Sequence, residues 1–155
     1  MATSIEALVD RQIRRGQFAE RAGRERQSTA APPRPVHRVI TISRQAGAGG
    51  RRLADRIAAH LNFEVIDRQI IDMLVQSTGA RERLIRSLDH DVVSGIDLWV
   101  QGVITGRYVD RDEYAQWLVK IITALAEHGQ AVIIGRAASA ILRQRGGLHI
   151  RLVAP

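Results

Sequence analysis

Apolar residues fall into two kinds of run along this chain, and their alternation is the first sign of its fold. Short runs rich in β-branched residues occur at Val39 to Ile42, Phe63 to Ile66, Ala131 to Ile134 and Leu148 to Val153. All four read as strands, and the first and third fit strands buried on both faces of a sheet. Between them, apolar residues recur every three or four positions. Leu53, Ile57 and Leu61, with Ala54 and Ala58 beside them, make one helical face, and Asn62 can close that helix. Ile70, Ile71, Leu74 and Val75 make a second, in a helix predicted over 68–76. Further helices are predicted around 81–88 and, more loosely, 92–104. The clearest helix spans 110–128: Asp110 offers a cap, Asp112 and Glu113 suit its positive end, and Gly129 suits its stop. Its stripe of Tyr114, Trp117, Leu118, Ile121, Ile122 and Leu125 reads as core. A last helix is predicted over 137–145, ending at Gly146-Gly147. Strands alternating with helices imply an α/β fold, a parallel sheet with right-handed crossovers.

Ahead of this pattern, residues 4–26 place Ile5, Leu8, Val9 and Ile13 on one side of an amphipathic helix that Ser4 can cap and that Gly16 and Gly23 weaken. The run from Gln27 to Pro35, QSTAAPPRP, has linker composition. The expected organisation is therefore a basic N-terminal arm and linker over 1–35 and an α/β domain over 36–155. The arm is read as solvated or packed on a partner subunit, which would make a homo-oligomer; a nucleic-acid or membrane role is the alternative.

Composition narrows this picture. A chain of 155 residues that is 45% hydrophobic buries one ordinary core. It contains no apolar run near the length of a membrane span and no signal-peptide core, so no membrane association and a cytoplasmic location are expected. With no cysteine, disulfides and thiolate metal sites are excluded. The net charge of +7 raises the question of nucleic acid. More than half of it belongs to the first 38 residues, where eight arginines face four acids. The remaining body is modestly basic, which suits an anionic nucleotide, and its few aromatics offer little platform for single strands. His90 between Asp89 and Asp91 is read as a solvated turn, because no second histidine stands at ligand spacing.

The candidate chemistry sits where the hydrophobic period changes, between Ile42 and Leu53. Ala46-Gly47-Ala48-Gly49-Gly50 permits positive φ and close approach of a bound group, while the free amides of the helix that follows point outward with the positive end of its dipole. Such a junction is a phosphate cradle. A dinucleotide fingerprint fits Gly47 and Gly49, with Asp67 at about the offset of a ribose-binding acid, but puts Arg52 in place of its third glycine. A literal mononucleotide loop fails too, since its lysine would follow a glycine here and the chain's single lysine is Lys120.

The stretch Ile40 to Arg51, ITISRQAGAGGR, resembles the loop ITIDGPSGAGKG of cytidylate kinases and lies against it without a gap. Ile42-Ser43-Arg44 and Gly49-Gly50-Arg51 are more similar still to the cytidylate kinase-like family, a branch of the P-loop nucleoside monophosphate kinases. The likeness runs from about Arg38 to Pro155 and is concentrated in this loop, in Val65-Ile66-Asp67 and in Ile133 to Arg136. It implies a three-layer P-loop-type α/β fold with strand order 2-3-1-4, and ATP-dependent phosphoryl transfer to a CMP-like monophosphate with Mg²⁺ accompanying ATP. Ser43, Gly47, Ala48, Gly49, Gly50, Arg51 and Arg52 would hold the donor nucleotide, with Ser43 near the metal. Arg44 or Arg51 would supply the cation that Gly50 cannot. Asp67, Arg68 and Arg136 would face the acceptor, although Asp67 could equally be a helix cap, and Arg136 a surface charge. Only Gly135-Arg136 survives of the family's D-G-R-D motif, Ile134 and Ala137 standing at the aspartate places. In the family an arginine-bearing lid and a last strand follow the fourth strand, and the sequence stops at Pro155 before either. Two alternatives stay open: a truncated, non-catalytic relative acting by nucleotide binding or by assembly through the arm or the strand-4 edge, and an NAD(P)-binding Rossmann domain.

Overall fold

The structure is a computed structural model that describes residues 4–26, 38–106 and 113–154. The predicted linker, the domain start near Val36 and the caps offered by Asp110 and Asp112 lie outside the described residues. Four strands, β1 (Val39–Arg44), β2 (Glu64–Ile66), β3 (Ala131–Ile134) and β4 (Leu148–Leu152), form one sheet in the order β2-β3-β1-β4. All three pairings are parallel, with Val39 opposite Ala131, Ile40 opposite Leu148 and Glu64 opposite Ala131. This is the expected order. It excludes the Rossmann alternative, because dinucleotide folds pair their first strand with their second, whereas β1 here pairs with β3.

The two faces of the sheet are covered unequally. Ile40, Ile42, Val132 and Ile134 point to one face and pack on Ala54 and Ala58 of α2 (Gly50–Leu61). Val39, Ile66, Ala131 and Ile133 point to the other. There they meet α1 (Ile5–Arg26), α3 (Arg68–Gln76), α4 (Thr78–Arg86) and α6 (Glu113–His128) through Leu8, Val9, Ile71, Leu74, Leu84, Ile121 and Leu125. Strand period two sorts side chains between the layers, and burying each such aliphatic residue contributes roughly 1.5–3 kcal/mol before chain entropy is counted. Outside this layer α5 (His90–Gly106) rests on α6 through Ile96, Val100 and Val119. His90 and its acidic neighbours are exposed at the start of α5.

The N-terminal helix is not a solvated arm. Leu8 and Val9 are 3% and 0% exposed inside this chain's own core, and the Gln12 amide donates to the Gly129 carbonyl at 2.6 Å. Arg11 and Arg15 pair with Glu64 at the start of β2, and Arg83 of α4 pairs with Asp10. The sequence pattern showed the apolar face of α1 but not its mate, because the contacts span about fifty residues of chain or more.

Two predicted helices differ in extent. The one expected around 81–88 begins earlier, as α4, because the Ser77 hydroxyl accepts from the Ala80 amide and caps it. The one expected over 137–145 shrinks to α7 (Ala138–Ile141), followed by turns. At its entry Arg136 and Ala137 both adopt left-handed backbone, at φ 50° and 55°, so the helix proper starts at Ala138, and at its other end Leu142 already caps it.

Candidate functional site

The strand order creates a switch point. From β1 the chain crosses by α2 to β2 on the far side of β3; from β3 it crosses by α7 to β4 on the far side of β1. The two crossovers leave in opposite directions, and beyond the carboxyl ends of strands at such a point open α/β sheets bind ligands.

At the carboxyl end of β1 lies the glycine turn. Arg44 ends the strand, the Gln45 amide donates to the Leu152 carbonyl at 3.1 Å, and the Ala48 amide donates to the Gln45 carbonyl at 3.2 Å. Gly47 and Gly49 have φ of 80° and 75°, conformations an L side chain resists. Gly49, the cap residue of α2, has no side chain with which to bond the amides of that helix entrance, and among the described residues no carboxylate accepts a hydrogen bond from them. They remain available to an anion, as the dipole of α2 favours. Gly50 is buried for a different reason: a Cβ there would lie 2.1 Å from Cδ of Arg44. The Arg44 side chain thus runs across the position where a loop lysine would start. Its guanidinium and that of Arg52 are exposed and have no ion pair among the described residues.

Arg51 is differently placed. Its Nε donates to Asp55 at 3.0 Å and its terminal nitrogen to Asp67 at 2.6 Å, a bridge from α2 to the end of β2. Burial works against its charge, but the hydrogen bonds and charges of Asp67 and Asp55 outweigh it and hold its pKa above the usual guanidinium value. Asp67 carries two duties at once: one carboxylate oxygen meets Arg51, and the other accepts from the Ile70 amide at 3.0 Å and caps α3.

Beyond β3 the chain makes three successive left-handed residues, Gly135, Arg136 and Ala137. The Gly135 amide donates to the Ile42 carbonyl at 3.0 Å, pinning this bend to β1. From it the Arg136 guanidinium reaches Asp72 of α3, whose other oxygen accepts from the Tyr114 hydroxyl of α6 at 2.6 Å. Nε of Arg68 stands 3.8 Å from the same carboxylate. The Tyr114 hydrogen bond, then that of Arg136, keeps the Asp72 carboxyl below its ordinary pKa; burial, then the Asp72 bond, pushes the Tyr114 phenol up.

The structure therefore brings the sequence-predicted residues together in two groups. Ser43 through Arg52 surround the turn, and Arg51 ties it to Asp67. Arg68 and Arg136 meet on Asp72. Neither Asp72 nor Tyr114 stood out in the sequence: Tyr114 was part of a core stripe, though its hydroxyl needed a partner once buried. Asp72 gave one faint signal, its i,i+4 spacing from Arg68. A groove of about 740 Å³ lies elsewhere, between α1 and α4, lined by Asp10, Arg14, Glu82 and Arg83. Its charges are largely matched within it, Asp10 with Arg83 and Glu82 with Arg86, so it offers an anion less than the uncapped turn does.

A helix-flanked parallel sheet of order 2-3-1-4 with an open glycine turn at its switch point defines an α/β protein of P-loop-like fold. The cytidylate kinase-like family matches residues 39–155, and the chain belongs to that family. Among solved structures it is similar to an uncharacterised protein from Eubacterium ventriosum ATCC 27560, with 17% identity and a TM-score of 0.38. The match covers 74% of this chain and 52% of that one, so the chain spans about half the length of that protein. No curated protein matches the chain. Family membership supports a kinase-like nucleotide-binding role, and no helix among the described residues is long and apolar enough to cross a membrane.

Proposed function

We propose that the glycine turn binds the phosphates of ATP, that Arg136 and Arg68 face a CMP-like monophosphate, and that the γ-phosphoryl group passes between them. The observation that carries this reading is the amino end of α2, which lies at the switch point with no side chain of the described residues capping it. Phosphoryl transfer asks little covalent chemistry of a protein, only that two nucleotides be held in line and the developing charge be neutralised. The backbone of Gly47 to Arg51 does the first for the donor. For the second, Arg44 is the better candidate than Arg51, since it lies across Gly50 unpaired while Arg51 is shared between two carboxylates.

Magnesium would enter with ATP. Among the described residues no three acids or histidines cluster to hold a metal alone, but Mg²⁺ in such sites takes most ligands from phosphates and water. The Ser43 hydroxyl and the Asp67 carboxylate are the oxygens this chain could add, and the ion would supply positive charge against that of the phosphates.

A second reading, nucleotide binding without turnover, is favoured by the scarcity of free cations. Lys120 pairs with Asp97 at 2.8 Å on the α5–α6 face, and a guanidinium does not replace the compact ammonium of a loop lysine. Calorimetric titration with MgATP and with CMP, followed by a coupled ADP-release assay, separates the readings. Binding of both with ADP release supports transfer; binding without release supports the second reading; no binding of either nucleotide overturns both.

A further inference from the structure

The bend after β3 holds a connection that lies outside the Gly135-Arg136 motif. Arg136 is carried on three consecutive left-handed residues, two of which bear side chains that disfavour that backbone, at φ 50° and 55°. Strain of this kind persists only where the surroundings impose it, and it gathers at functional positions. The bend is imposed from both sides, by the Gly135 amide on Ile42 of β1 and by the guanidinium on Asp72 of α3. Yet the guanidinium is incompletely satisfied: its Nε is buried and has no hydrogen-bond partner. A buried charged donor without an acceptor is costly, and a bound oxyanion would relieve it.

We propose that Asp72 and Tyr114 are positioning residues that aim Arg136 at the phosphate of the acceptor monophosphate. The inference rests on the reading above and deepens it. Asp72 cannot be that ligand's partner itself, being an anion, but its geometry suits a brace. One oxygen holds Arg136 and the other is fixed by the Tyr114 hydroxyl at 2.6 Å, so the carboxylate cannot rotate without losing a bond. Tyr114 stands near the amino end of α6, whose inner face is buried in the main core, and the brace is therefore anchored in the rigid layer. The Arg136 guanidinium also lies 5.9 Å from the Tyr114 ring centre, within range of the ring's negative face. Arg68, 75% exposed and 3.8 Å from the same carboxylate, is close enough to join Arg136 on an incoming phosphate.

The test is calorimetric titration of wild type, Tyr114→Phe and Asp72→Asn with CMP and, separately, with MgATP, alongside melting temperature. Tyr114→Phe keeps the ring and its packing and removes the hydroxyl that bonds Asp72, so it is expected to retain the fold even if Asp72→Asn does not. CMP affinity is expected to fall about tenfold in Tyr114→Phe and further in Asp72→Asn, as for hydrogen bonds to charged groups. MgATP affinity should stay within about twofold, because the donor turn does not touch this brace. Unchanged CMP affinity in Tyr114→Phe overturns the proposal, and so does an equal loss for both nucleotides, which is the mark of a structural role. If wild type binds MgATP and not CMP, the brace has no acceptor to serve and is overturned while the donor site stands. If it binds neither, the proposed function itself has failed.

Discussion

Gly50 and Arg44 show how a substitution in one place is answered in another. A lysine stem at position 50 would occupy the space that the Arg44 side chain fills, since even a Cβ there comes within 2.1 Å of Cδ. Gly50→Ala should therefore push Arg44 aside. The displaced group is the exposed part of a flexible side chain, so stability in urea should change by no more than about 0.5 kcal/mol. If Arg44 serves the donor phosphates, MgATP affinity should nonetheless fall, and by about as much as in Arg44→Ala. Arg51→Ala should cost less affinity, its charge being already matched by Asp55 and Asp67. Equal losses for Arg44→Ala and Arg51→Ala would remove the distinction. The need for glycine at 47 and 49 was legible in the sequence, because a strand running into a helix demands a bend that only positive φ supplies. The lie of Arg44 over Gly50 was not, since that depends on a side-chain path that periodicity does not encode.

At the scale of elements, Asp67 couples two of them. It caps α3 through the Ile70 amide and links α3 to α2 through Arg51, and the two duties can be separated. Asparagine is as good a cap as aspartate but carries no charge, so Asp67→Asn should lose only the half-exposed ion pair, worth at most about 1 kcal/mol. Asp67→Ala should lose the cap as well, about 1 kcal/mol more, read as the difference between the two variants in urea denaturation. A difference near zero would mean that the cap adds nothing to α3. Gly16 offers the converse lesson. In the sequence it weakened α1, yet a Cβ there would lie 2.8 Å from the His128 ring and 3.1 Å from its carbonyl, so the glycine is what lets α1 close on α6. Strands β1 and β3, the face of α2 and the stripe of α6 were all readable, because each is written in local periodicity. The bend at Arg136 was not readable, since an alanine-rich stretch with helical spacing gives no local sign that its entry is left-handed and bonded to a partner 64 residues away.

For the molecule as a whole, α1 closes the core at the end of the sheet opposite the site, and His128 records that closure. The residue is 5% exposed, with Nε2 2.9 Å from the Ser87 hydroxyl and 3.2 Å from the Leu84 carbonyl, and α1 passes over it at Gly16. Desolvation lowers its pKa below 6.5; the Leu84 carbonyl and the charges of Glu20 and Glu127 oppose this but do not cancel it. The folded chain therefore binds the proton less readily than the unfolded one. Stability from this group is complete above about pH 6.5 and is lost as pH falls from there towards the folded pKa, because only the unfolded state takes up the proton. Thermal melts between pH 7.5 and 5.5 should show a decline that is shallower in His128→Gln. Deleting residues 1–26 links this to the packing of α1. It removes buried Leu8 and Val9, the Gln12 bond to Gly129 and the arginine pairs on Glu64, so the truncated domain should lose about 3 kcal/mol or more in urea. It also uncovers His128, which should bring its pKa back towards that of the unfolded chain and flatten the same pH dependence. A truncated domain that melts like the full chain and keeps the full acid slope would show that α1 does not complete this core. A domain that is destabilised but equally pH-sensitive would show that Leu84 and Ser87 alone keep the histidine neutral.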